Sequence, residues 1–91
     1  MLDIGGPVGA MVVTLDHEAL GTELFLRPDG VGTASVHTGV WERHVAEGHV
    51  TAALFPELHE GAYWVLDGGG RDVCRVEIAG GRVTTLDLRH P

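Results

Sequence analysis

A chain of 91 residues supports one domain with a single thin core, because a chain this short buries only roughly 60–70% of its unfolded surface. Its hydrophobic content of 44% excludes disorder. Its net charge of −7, from thirteen acids against six arginines and no lysine, repels phosphate backbones and anionic headgroups, so neither nucleic acid nor a membrane surface is expected as a partner.

No apolar run reaches the length of a spanning helix, and the first residues carry neither a basic nor a cleavable apolar leader. With a single cysteine, Cys74, and hence no internal disulfide, the chain reads as a cytoplasmic protein. One domain covering residues 1–91 is expected, with no linker.

Glycine and proline clusters recur about every ten residues, the punctuation of an all-β sandwich or barrel. No segment sustains a helical period. The first strand is Gly9 to Leu15, entered through Gly5, Gly6 and Pro7, and Asp16 to Ala19 form a connection with one helical turn. The second, Thr22 to Arg27, alternates: Leu24 and Leu26 face the core, while Glu23, Phe25 and Arg27 face out. Arg27-Pro28-Asp29-Gly30 is a turn, since proline presets φ at its second position. The third strand lies within Thr33 to Val45, with Ala34, Val36 and Thr38 inward, until Gly39 introduces a bulge or bend. Glu47-Gly48 is the next turn.

Val50 to Leu66 carries the most specific pattern. It reads as two strands joined by a corner, with Phe55, Leu58, Gly61 and Tyr63 at fixed spacing. In such a corner the tyrosine ring folds into the core and its hydroxyl bonds to backbone a few residues upstream. Asp67-Gly68-Gly69-Gly70-Arg71 reads as a loose loop, costly to order because of its three glycines. Strands at Val73 to Ile78, with Cys74, Val76 and Ile78 on one face, and at Val83 to Leu88 follow. Gly80-Gly81 between them signals a two-residue hairpin. The total is seven strands.

F-x-x-L-x-x-G-x-Y, followed by V-E-I-A-G-G-R-V-T-T-L-D-L, resembles the second half of the carboxypeptidase regulatory-like, or prealbumin-like (transthyretin-like), β-sandwich domains. L-G-T-E-L-F-L-R-P resembles their second strand, so the likeness spans most of Leu20 to Leu88. It implies a seven-stranded Greek-key β-sandwich of the immunoglobulin-like or prealbumin-like kind, used as an accessory, binding or assembly module without catalytic residues. The chain departs from that family where His59 and Glu60 replace its usual prolines.

Phe25 and Trp64 fall where alternation points a side chain outward, and Trp41 is a third candidate. Exposed aromatics rimmed by charge mark a contact surface for a homodimer or a protein partner. The alternatives are scattered surface aromatics, or a register difference of one residue that turns both inward. The six histidines offer a reading of another class: His37, His44, His49 and His59, with Glu57, supply nitrogen and oxygen ligands of the kind zinc or copper accepts. No metal-binding spacing such as H-x-H or H-E-x-x-H occurs among them.

Catalysis finds no supporting residue set. Ser35 sits in A-S-V, outside any nucleophile elbow. Cys74 lies on a core face, where a thiol packs rather than reacts. Asp16-His17-Glu18 is a charged loop, and Gly68-Gly69-Gly70 lacks the lysine and helix of a phosphate loop. The sequence implies no enzyme and no cofactor.

Overall fold

The computed structural model describes residues 4–29 and 36–89. The strands are β1 (Val8–Leu15), β2 (Glu23–Pro28), β3 (Val36–Val45), β4 (Gly48–His59), β5 (Gly61–Leu66), β6 (Asp72–Ile78) and β7 (Val83–Asp87), with one 3₁₀ turn at His17–Ala19. They form a seven-stranded mixed sheet in the order β6-β5-β2-β3-β4-β1-β7. All neighbours are antiparallel except β1 and β7, which run parallel. No helix among the described residues is long and apolar enough to cross a membrane.

The sheet curls because β3 serves two neighbours. Its first residues pair with β2, ending at Gly39 opposite Glu23, and its remainder pairs with β4, starting at Val40 opposite Ala53. The two halves of the sheet therefore face one another across a common core. Met11, Val13, Leu24, Leu26, Val40, Ala53, Phe55, Leu58, Tyr63, Val65, Val76 and Ile78 make up that core, with Leu86 of β7 packed against its edge. The result is nearly a barrel, whose edge strands β6 and β7 are consecutive in the chain but not paired with each other.

Alternation reads the core faces of β2 and β6 correctly: Leu24, Leu26, Val76 and Ile78 are buried and Cys74 half-buried. Four expectations need correction. Gly39 brings a change of partner, not a bulge, and the inward phase runs on through it from Thr38 to Val40. The Trp41 indole lies over this glycine, so a Cβ at position 39 would stand 2.5 Å from its Nε1 and push the side chain aside. Val36 shares a side with buried Leu26 but stays 41% exposed as the first residue of its strand.

The Gly80-Gly81 turn does not make a hairpin. Gly81 takes φ 73°, and its N–H donates to the Val8 carbonyl at 2.8 Å, so the chain leaves β6 and joins β1 in parallel. Gly80 packs so closely on the Gly6 carbonyl that no side chain fits. The triple-glycine loop is organised, since the Asp67 carboxylate accepts from the N–H groups of Gly69 and Arg71 at 2.9 and 3.0 Å. These bonds offset the entropy that the glycines cost. Gly30, Thr33, Ala34 and Ser35 lie outside the described residues.

Candidate functional site

Burial of Leu24 and Leu26 turns Glu23, Phe25 and Arg27 outward from β2. Register then sets Phe25 opposite His37 and Leu66, and Trp64 opposite Arg27 and Arg75. Phe25 and Trp64 thus share one surface as diagonal neighbours. Neither is bare, for both are half-buried. The Phe25 ring lies 5.5 Å from the His37 ring at a tilt of 38°, and His37 Nδ1 is held 2.7 Å from Glu23.

Around Trp64 the surface is laced with charge. Arg75 Nε donates to Asp29 at 2.9 Å, Arg75 also reaches Glu77 at 3.4 Å, and Arg27 pairs with Asp72 at 3.6 Å. The Arg75 hydrogen bond, reinforced by its charge and by the Trp64 indole, holds the Asp29 carboxyl below its ordinary range. All these groups are exposed, so each pair contributes at most about 1 kcal/mol.

Trp41 belongs to the other half of the sheet and is 59% exposed, the highest value among the exposed large hydrophobic residues described. It stands opposite Ala52, which stands opposite Thr14; in the next row Leu54 faces Val12 and Val12 faces Thr85. Opposed residues share a face, so Trp41, Ala52, Leu54, Val12 and Val50 form an apolar strip on the outer side of this half, in which Trp41 is open, Leu54, Val12 and Val50 are half-buried and Ala52 is buried. Arg43, opposite Val50, is the charged member of that strip, and its Nε is buried without a hydrogen-bond partner among the described residues. A partial signal for the strip lies in the unbroken apolar run Ala10-Met11-Val12-Val13, since a strand apolar at every position has both faces covered.

The candidate histidines do not gather at one site, and only two of them meet. His44 and His49 are directly opposed across the β3–β4 hairpin, with ring centroids 4.2 Å apart, and His49 Nδ1 lies 2.8 Å from Glu42. His49 and Glu42, without His44, border a cavity of about 260 Å³ that is also lined by Asp16, His17 and Arg89. His59, whose Nδ1 is 3.3 Å from the Glu60 carbonyl oxygen, lies with Glu57 at the far end of β4, roughly 30 Å along the strand at ~3.3 Å per residue. His37 is on β3 where it pairs with β2. Among the described residues, no group of three or more His, Cys, Asp or Glu could hold a metal ion. Burial pushes the Cys74 thiol up, which keeps it protonated at neutral pH and unreactive.

No family model, curated protein or solved structure matches the chain.

Proposed function

We propose that this chain is a non-catalytic binding or assembly module, a Greek-key β-sandwich of the prealbumin-like, immunoglobulin-like kind, working in the cytoplasm. Its outward aromatic surface docks a protein partner or a second copy. The observation that carries the reading is the 59% exposure of Trp41 at the border of an apolar strip, on a chain whose net charge is −7. Covering the open part of that indole is worth about 3 kcal/mol from area alone, enough for it to act as a binding hot spot. Phe25 and Trp64 supply a second, charge-rimmed contact on the other half. The metal alternative receives no comparable support, because its five residues are spread over three places in the fold.

Hydroxyl-radical footprinting tests the reading. Trp41 oxidises freely in dilute purified protein and is protected either in concentrated solution or in native extract. Equal oxidation of Trp41 in all three overturns the proposal.

A further inference from the structure

We propose that β7 is a self-pairing edge. Two copies join antiparallel along Val83–Asp87, across a two-fold axis at Thr85, into one continuous sheet. This goes beyond the docking reading and is independent of it, since it uses the backbone of β7 and not the indole of Trp41.

The ladder with β1 determines which groups of β7 are committed. The Ala10 N–H donates to the Arg82 carbonyl at 3.0 Å and the Leu88 N–H to the Thr14 carbonyl at 2.8 Å. In a parallel ladder the residues turned toward the neighbour alternate, so the Arg82 carbonyl and the backbone groups of Thr84 and Leu86, with the Leu88 N–H, turn toward β1, while the Arg82 N–H donates to the Ala79 carbonyl at 3.3 Å. Val83, Thr85 and Asp87 turn theirs to the open side. Among the described residues no strand pairs with β7 on that side, and Val83, Thr85 and Asp87 are all exposed.

Proteins normally blunt such an edge with charge, proline, a bulge or a covering helix or loop. β6, the other edge, carries Asp72, Arg75 and Glu77, and its ladder with β5 has a bulge. β7 has none of these within V-T-T-L. Its one charge, Asp87, sits at the last residue and is paired with Arg89 at 2.8 Å.

Antiparallel pairing centred on Thr85 sets Thr85 against its own copy and Val83 against the partner copy's residue at position 87. Every outward N–H and C=O of the three residues then meets a partner, because directly opposed outward-turned residues exchange both bonds. The two Asp87 carboxylates fall at opposite ends of the pairing. A centre at Asp87 sets like charges face to face, and a centre at Val83 or Thr84 leaves outward groups of β7 unmatched within the strand.

Sedimentation and amide exchange of the full chain test this. The wild type dimerises with concentration, and the Val83, Thr85 and Asp87 amides slow as the dimer forms. Thr85→Lys puts two like charges opposite each other and raises the dimer dissociation constant at least about tenfold. Thr85→Pro removes an N–H that β1 does not use and also dissociates the dimer, with β-sheet circular dichroism retained in both variants. A wild type monomeric at about 1 mM, a dimer that survives both substitutions, or a dimer whose three amides exchange freely overturns the proposal. A dimer that survives them while Trp41 is protected from oxidation moves self-association to the aromatic strip. A dimer lost in both variants, with Trp41 never protected, leaves the edge standing and removes the docking reading.

Discussion

The Tyr63 hydroxyl donates to the His59 carbonyl at 2.6 Å, and this bond ties the third residue of β5 to the last residue of β4. The two strands belong to opposite halves of the sheet, so the bond clamps the point where the chain crosses between them. Leu58, 4% exposed, and Tyr63, 8% exposed, seat the corner in the core, and burial raises the tyrosine pKa.

Tyr63→Phe keeps the ring and removes the bond. The expected loss is about 1 kcal/mol, read as a lower denaturant midpoint with an unchanged slope. An unchanged midpoint shows that the hydroxyl contributes nothing to the corner.

Gly9 and Gly39 are both crowded, yet alanine at the two positions has different consequences. At Gly9 a Cβ meets the Ala79 carbonyl oxygen and comes within 3.0 Å of the Arg82 carbonyl oxygen. Both are fixed backbone, so Gly9→Ala costs roughly 1–3 kcal/mol through overpacking. At Gly39 the obstacle is the Trp41 indole, an exposed side chain free to swing away. Gly39→Ala leaves the melting temperature nearly unchanged and alters Trp41 fluorescence, and equal melting shifts in the two variants contradict this account.

Leu26 is fully buried between the halves. Leu26→Ala loses about 2–5 kcal/mol from transfer and cavity terms, a large share of the about 5–15 kcal/mol typical of a whole domain. Thermal unfolding measures it, and a loss under about 1 kcal/mol indicates that the core collapses around the gap.

Hydrogen bonds from the Arg89 side chain and backbone hold the Asp87 carboxyl at about 2, below its ordinary 3.8. A depressed folded pKa means that the pair's contribution is present above about 3.8 and is lost as pH falls through about 2. Carbon-detected NMR titration reads the midpoint directly. Arg89→Ala returns it toward 3.8, and a midpoint that does not move assigns the depression to another group.

Local chemistry made the elements of this fold legible. Apolar alternation identified Leu24 and Leu26 on β2 and Val76 and Ile78 on β6 as core, because side-chain direction along a strand follows from its two-residue period. The spacing of Leu58, Gly61 and Tyr63 signalled the corner, because its parts lie within a few residues. Partner choice was not legible. Gly80-Gly81 reads as a hairpin by its glycines alone, and only the contact of Gly80 with Gly6 and the bond from Gly81 to Val8 send β7 to β1. Likewise, no local signal placed Phe25 beside Trp64 or separated His59 from His49. Those relations depend on register between strands distant in sequence, which the packing of the whole core selects. The sequence by itself determined seven strands and the inward faces of β2 and β6, where apolar alternation is clean; the tertiary structure decided the phase of β3 beyond Gly39, which strands became edges and which outward residues became neighbours.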